Sequence, residues 1–187
     1  TRYELFLRET RTYEIIEDVK NFRSEIGVLF LNSYNRDVLT KMFDDNRLTY
    51  TSLFKARPHI FVSKSNPLAK HEVVSLEDLE EFPYLSYDQG IHNSFYYSEE
   101  ILSQIPHKKS IVVSDRATLF NLLIGLDGYT IATGILNSNL NGDNIVSIPL
   151  DIDDEIDIVY LKHEKATLSK MGEKFLDNLV KEVTFDN

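Results

Sequence analysis

Short apolar runs alternate with amphipathic stretches along the whole chain, which is the pattern of an α/β domain. The apolar run EIGVLFL at 25–31 is typical of a buried parallel strand. The pattern predicts further strands at 3–8, within 48–62, and at 84–87, 111–113, 129–132, 145–148 and 156–161. These strands are separated by helical segments, so the predicted sheets are built with crossover helices.

Helix starts are indicated by capping residues in front of residues at helical spacing. They predict helices after Thr12, after Asn32 or Asn35, after Ser75, and after Ser114 or Asp115. The polar loop 88–94 (DQGIHNS) is predicted to open another helix, which carries Phe95, Ile101 and Leu102. A last amphipathic helix is predicted over 169–183, with an apolar face that belongs to the core.

Composition narrows the class of protein. The 187 residues are 42% hydrophobic and 11% aromatic, which suits one globular domain or two small lobes. No apolar run approaches the roughly 20 residues that cross a membrane, and no signal peptide is visible. The chain starts at Thr1 inside a predicted strand, so we expect it to be a fragment of a longer protein. The lack of cysteine excludes disulfides and thiolate metal sites, and fits a cytoplasmic protein.

Charge and motifs argue against nucleic-acid binding and catalysis. A net charge of −10 repels phosphate backbones, so DNA contact would require a segment outside this chain. The five histidines form no HExxH pair, and we find no P-loop, dinucleotide-binding glycine pattern or GxSxG motif. We therefore predict no enzyme, no metal and no cofactor. The acidic run 151–155 (DIDDE) lacks the glycine of a calcium loop and is predicted to be a solvated connection between strands.

Several segments are similar to one protein family. Residues 63–69 (SKSNPLA) resemble a turn written HPLA in the effector-binding domains of LysR-type transcriptional regulators. Residues 74–85 resemble the capped helix and strand that follow that turn. Residues 119–133 resemble the family's glycine-containing segment from helix to strand, and 25–30 fall where it has a strand written LDLAI. The similar segments occur in the family's order over nearly the whole chain.

The resemblance implies a periplasmic-binding-protein-like (type II) fold, with two Rossmann-like lobes joined by two crossover strands. Lobe I would hold residues 1–61 and 149–187, and lobe II would hold 62–148, with a hinge near 60–63 and 147–150. It also implies self-association as a dimer or tetramer. The family's winged helix-turn-helix and the first strand and helix of its sensing domain have no counterpart in this sequence.

Ligands of open α/β sheets bind beyond the carboxyl ends of strands, where helices begin. Four loops and one strand end of this chain meet that description. Thr12 and Tyr13 follow the first predicted strand, and Thr12 either contacts ligand, as the resemblance implies, or only caps a helix. Arg116 either binds a carboxylate or is a solvated charge. The predicted ligand-binding residues are Thr12, Tyr13, Asn32, Ser33, Gln89, Gly90, His92, Asn93, Ser94, Arg116 and Thr133.

Three functions remain for a chain of this kind. The first is the sensing domain of a LysR-type regulator, which would bind a small polar effector, such as an amino-acid derivative or an organic acid, between its lobes. The second is a free-standing solute-binding protein of a transport system with the same fold. The third is an enzyme on this fold, against which the lack of a catalytic motif counts.

Overall fold

A computed structural model describes residues 3–136 and 143–185 of the chain. The helices are α1 (Thr12–Lys20), α2 (Arg36–Asp45), α3 (Leu76–Leu79), α4 (Arg116–Gly125) and α5 (Lys170–Phe185). The strands are β1 (Gly27–Leu31), β2 (Leu48–Ala56), β3 (His59–Ser63), β4 (Tyr84–Tyr87), β5 (Ser110–Val113), β6 (Tyr129–Ala132), β7 (Ile145–Pro149) and β8 (Ile156–His163). Short 3₁₀ turns lie at Pro67–Lys70 and Phe95–Tyr97. In the described ranges no helix has the length and apolar character needed to cross a membrane.

The described strands form two sheets. The first has the order β1-β8-β2, and its central strand β8 runs antiparallel to both neighbours. The prediction of a parallel strand at 25–31 is therefore wrong in its pairing, although the strand itself is confirmed. A continuous apolar run indicates that both faces of a strand are covered. It carries no information on the direction of the neighbouring strand.

The core of the first sheet lies under two helices. Ile16 from α1 and Phe43 from α2 are fully buried against Leu31 and Val159 of the sheet. At helical spacing, these apolar residues form one stripe on each helix, and the stripes cover the same face of the sheet. The α1 and α2 helices are thereby fixed on this sheet.

The second sheet has the order β5-β4-β6-β3-β7. Its strand β4 is parallel to β5 and β6, whereas β3 is antiparallel to β6 and β7. Helix α4 covers one face through Leu119 and Leu123, which are buried against Leu85 and Val113. The opposite face packs in a larger apolar cluster that includes Ile60 from this sheet and reaches Ile156 of β8.

The chain passes between the sheets twice. The first crossing is at 57–58, between β2 and β3, and the second is at 150–155, between β7 and β8. The Leu150 N–H donates to the Pro58 carbonyl over 3.1 Å, so the two crossings are bonded to each other. The residues that the sequence indicated as a hinge, 60–63 and 147–150, lie mostly within the paired strands β3 and β7.

The N-terminal segment is not a strand. Residues 3–11 form no regular element, and the side chains of Phe6 and Leu7 are largely exposed. Arg8 holds the segment through an ion pair with the buried Asp18 carboxylate of α1. The apolar residues at 3–8 are typical of a strand, but a strand also requires a partner, and none of the described strands pairs with this segment.

Several predicted helix starts are confirmed, and two details are corrected. Asp115 caps α4 by accepting the Thr118 N–H over 2.8 Å. The residue that precedes α1 is Arg11 rather than Thr12, and Thr12 is the buried first residue of that helix. The helix predicted beyond residue 94 is reduced to the turn Phe95–Tyr97, because Ser98 leaves helical geometry and Leu102 has a φ of 62°.

Candidate functional site

The loop after β4 crosses from the second sheet to the start of α1. The Arg11 guanidinium donates to the Asp88 carbonyl over 3.0 Å and to the Asp88 carboxylate over 2.8 Å. It also lies against Gly90, where an added Cβ would come 2.9 Å from the Arg11 Nη1 atom. Because Gly90 has a φ of +61°, both its conformation and its neighbour favour glycine. The Arg11–Asp88 ion pair thus connects the segment before α1 to the loop after β4, with Gly90 packed against it.

Aromatic rings hold the same loop on the helices of the first sheet. The His92 ring stacks on Tyr13 with a centroid separation of 3.5 Å and an interplanar angle of 16°. Tyr97 meets the Tyr13 ring edge-on at 5.5 Å. Tyr96 stacks on Tyr34 at 4.8 Å. Aromatic pairs of this kind add to the apolar burial of the loop.

A cavity of about 310 Å³ lies on one side of the Arg11–Asp88 contact. At its wall the Arg116 Nε donates to the Glu9 carboxylate over 2.8 Å, and the guanidinium lies 5.6 Å from the centre of the Tyr87 ring. We call this the acidic cavity, because five carboxylates and two guanidinium groups line it. Its lining residues are Glu9, Thr10, Arg11, Glu14, Tyr87, Asp88, Glu99, Ser114, Asp115 and Arg116.

A second cavity, of about 770 Å³, is lined by Arg11 and by the residues that follow Asp88. It shares Arg11 and Glu14 with the acidic cavity, so the two are neighbours. We call it the loop cavity, because the loop after β4 forms one wall and α1 the other. Its lining residues are Arg8, Arg11, Tyr13, Glu14, Glu17, Asp18, Arg23, Gln89, Gly90, Ile91 and His92.

Buried acidic and amide groups lie behind these walls. Glu100 is 4% exposed and accepts the Tyr87 N–H over 2.7 Å. Its burial raises the pKa of the Glu100 carboxyl to about 8. Burial also raises the pKa of Glu99, against the hydrogen bond that the Gln89 amide donates to it over 3.2 Å. Among the described residues, the buried Gln89 Oε1 and Tyr87 hydroxyl have no hydrogen-bond partner.

The two residues predicted after β1 are held by the fold itself. The Asn32 Oδ1 accepts the N–H groups of Tyr34 and Asn35, each over 3.1 Å. Its Nδ2 donates to Asp154 over 3.2 Å, and the Ser33 N–H faces the same carboxylate at 3.4 Å. Asp154 belongs to the acidic run 151–155, which forms the second crossing between the sheets. These polar groups therefore already have partners.

The structure brings together five of the eleven predicted ligand-binding residues. Tyr13, Gln89, Gly90 and His92 line the loop cavity, and Arg116 lines the acidic cavity. The other six lie outside the walls of both cavities. Ser94 caps the turn that follows it, and Thr133 accepts the Ile135 N–H over 3.4 Å. The six are Thr12, Asn32, Ser33, Asn93, Ser94 and Thr133.

Three residues of this region were missed by sequence reasoning. Arg11 is not among the predicted ligand-binding residues, although its neighbours Thr12 and Tyr13 are. An arginine directly before a helix can form a charged hydrogen bond to another element. Glu99 and Glu100 lay in a stretch that we predicted to be helical, and nothing in the sequence marks their burial. In the described ranges, no group of three or more His, Asp or Glu side chains is placed to hold a metal ion.

Comparison with known families decides the class of this domain. A family model described as the LysR substrate binding domain matches residues 2–184. This chain belongs to that family. The predicted resemblance and the periplasmic-binding-protein-like (type II) fold are thereby confirmed. No curated protein matches the sequence significantly.

Solved LysR structures share the fold at low sequence identity. The effector-binding domain of QuiR in complex with shikimate is 18% identical, with a TM-score of 0.62 over 92% of this chain and 78% of that one. The BenM effector-binding domain with benzoate is also 18% identical, with a TM-score of 0.61 over 94% of this chain and 76% of that one. A putative LysR family regulator from Pseudomonas aeruginosa is 16% identical, with a TM-score of 0.62 over 94% of this chain. The chain spans 59% of that regulator's length.

Proposed function

We propose that this chain is the effector-sensing domain of a LysR-type transcriptional regulator. The observation that carries the proposal is the contact of Arg11, before α1, with Asp88 after β4, next to two neighbouring cavities lined by charged and polar side chains. The family match supports a sensing role, and similar domains hold shikimate or benzoate. The effector would be a small polar metabolite, and the domain would have no catalytic role.

We propose that the two sheets belong to two lobes, residues 1–61 with 149–187 and residues 62–148. The effector would bind between them and contact Tyr13, Gln89, Gly90, His92 and Arg116. A ligand shifts such an equilibrium only by its difference in affinity for the two arrangements. Self-association as a dimer or tetramer would carry the shift to a DNA-binding segment outside this sequence, in a cytoplasmic protein.

A thermal-shift screen of amino acids, organic acids and their derivatives tests the proposal. A ligand at 100 times its Kd stabilises the folded state by about 2.7 kcal/mol, which raises the Tm of a chain of this size by roughly 5–10 °C. We expect the rise caused by a hit to be reduced in Gln89→Ala and kept in Lys174→Ala, which removes an exposed charge on α5. A library in which no compound raises the Tm would contradict the sensing role. If a hit raised the Tm equally in both variants, the effector would bind at another site.

A solute-binding protein of a transport system is the alternative with the same fold. The coding sequence upstream of this chain separates the two. A helix-turn-helix segment there would support the regulator. An export signal would support the transport protein instead.

A further inference from the structure

The acidic cavity carries an excess of negative charge. Five carboxylates against two guanidinium groups leave a formal excess of three negative charges in its wall. Both guanidinium groups already have partners, since Arg11 pairs with Asp88 and Glu14, and Arg116 pairs with Glu9. A carboxylate ligand would have to displace one of these acids and then remain beside the others.

Two acids in this wall, Glu99 and Asp115, form no ion pair in the described part of the chain. Asp115 is engaged with Thr118 as the cap of α4, whereas Glu99 accepts one hydrogen bond, from Gln89 Nε2. Partial burial of a carboxylate without an ion pair is unfavourable, and Glu99 accepts one hydrogen bond from a neutral donor in return. The carboxylate therefore has acceptor capacity to offer a positively charged donor.

Gln89 points to the same kind of ligand independently of charge. Its side chain is 7% exposed, its Nε2 is used by Glu99, and its Oε1 has no partner in the described residues. Buried amide oxygens are nearly always hydrogen-bonded, so this one, in a residue that lines the neighbouring loop cavity, calls for a donor. The free functions of this amide and of Glu99 are both acceptors.

We propose that the effector carries a positively charged nitrogen group, an amine or a guanidine, that binds the Glu99 carboxylate. An N–H of the effector reaches the Gln89 Oε1 when the neighbouring Arg11–Asp88 contact opens. This inference rests on the proposed function and names its ligand class. It separates this chain from similar domains that hold the carboxylates shikimate and benzoate.

Proton release accompanies the binding of such a ligand. Burial raises the pKa of Glu99, while Arg116 and Arg11 favour its charged form and Glu9 opposes it. A bound cation lowers the pKa of Glu99. At pH values close to this pKa, the complex therefore holds fewer protons than the free protein. An anionic ligand beside the same carboxylate has the opposite effect.

The experiment compares small monoamines with their N-acetylated counterparts, which carry no charge, and compares agmatine with shikimate and benzoate. Thermal shift and calorimetry are run on the chain and on two variants. Glu99→Gln keeps the shape of the side chain and removes its charge, and Glu173→Gln removes an exposed acid on α5. We expect a charged amine to bind with proton release and its acetylated form to bind weakly. The affinity should fall roughly tenfold or more in Glu99→Gln and stay unchanged in Glu173→Gln.

Three results overturn the inference, and they differ in what else they affect. If carboxylates raise the Tm and amines do not, the ligand class is wrong and the sensing role stands. If no amine and no carboxylate binds, the sensing role falls with it. An amine that binds equally well to Glu99→Gln also overturns the inference, because its charge is then met elsewhere.

Discussion

The loops after β1 and β4 carry the same sequence signal and have different structures. Each is a polar segment between a buried strand and a helical turn, and each was predicted to contact ligand. In the loop after β1, the Asn32 side chain is fully engaged with backbone N–H groups and Asp154. In the loop after β4, Gln89 leaves its Oε1 without a partner, and Arg11 bridges to Asp88 from the other sheet.

The difference shows what separates a structural loop from a candidate site. Both loops bury an amide side chain, so burial alone does not distinguish them. What distinguishes them is whether the hydrogen-bonding capacity is used within the loop or is left over at a cavity wall. The loop after β1 should therefore affect stability when mutated, and the loop after β4 should affect ligand binding.

The largest expected effect concerns the carboxyl group behind the loop after β4. Burial raises the pKa of Glu100 to about 8 in the folded chain, above the usual value for glutamate. At a pH between these two pKa values, Glu100 is protonated in the folded state and charged in the unfolded state. Stability from this group is therefore present at low pH and is lost as the pH rises towards 8. The free energy of unfolding, measured from pH 5.5 to 8, should fall by up to roughly 3 kcal/mol relative to Glu100→Gln.

The Glu100→Gln variant is the matched reference for that measurement. It keeps an acceptor for the Tyr87 N–H and removes the titration. Burial lowers the pKa of His107, which contributes the opposite slope at acidic pH, and this contribution cancels in the difference between the two proteins. A constant difference over the whole pH range would show that Glu100 does not titrate there.

The second effect tests the loop after β1. Asn32→Ala removes the acceptor of two backbone N–H groups, and each buried group left without a partner costs about 1–3 kcal/mol. We expect chemical denaturation to show a loss of roughly 2–3 kcal/mol. Asn93→Ala, in the loop after β4, removes an exposed amide and should stay within about 0.5 kcal/mol. Similar losses in both variants would remove the contrast between the loops.

The third effect concerns the glycine under Arg11. Gly90→Ala places a Cβ near the guanidinium at a positive φ, and we expect a loss of about 1–2 kcal/mol in the free energy of unfolding. Gly125→Ala meets no atom within 4 Å at the end of α4 and should stabilise by roughly 0.5–1 kcal/mol. If both variants were equally stable, the close packing between Arg11 and Gly90 would be of no energetic importance.

The smallest expected effect is the coupling between two stacked rings. A double-mutant cycle of Tyr13→Leu and His92→Ala should give a coupling energy of about 0.5–1.5 kcal/mol, since the rings stack at 3.5 Å. A control cycle that combines Tyr13→Leu with His71→Ala, an exposed residue before α3, should give a coupling energy near zero. A coupling no larger than in that control would mean that the stack does not hold the loop on α1.

The fold was largely predictable because its signals are local. Capping residues such as Asp115 placed helix starts within a residue or so, and the apolar runs placed most strands. Strand direction was not predictable from the run at 25–31, because burial of both faces is the same for parallel and antiparallel neighbours. The segment at 3–8 failed as a strand because pairing depends on a partner distant in sequence.

The candidate site was only partly predictable because its properties are not local. The polar density of the loop after β4 predicts that Gln89, Gly90 and His92 bind ligand, and these three residues line the loop cavity. Whether an amide is satisfied depends on contacts such as Asn32 with Asp154, which are 122 positions apart. The burial that raises the pKa of Glu100 likewise depends on packing that no short motif encodes.

The two chain crossings have a mechanical consequence. Two points of attachment define a line, and here the attachments are hydrogen-bonded to each other through Leu150 and Pro58. A rotation of one sheet relative to the other would therefore take place about this pair of crossings. The Arg11–Asp88 ion pair joins the same two parts of the chain at another point, and it would have to break before they could separate there.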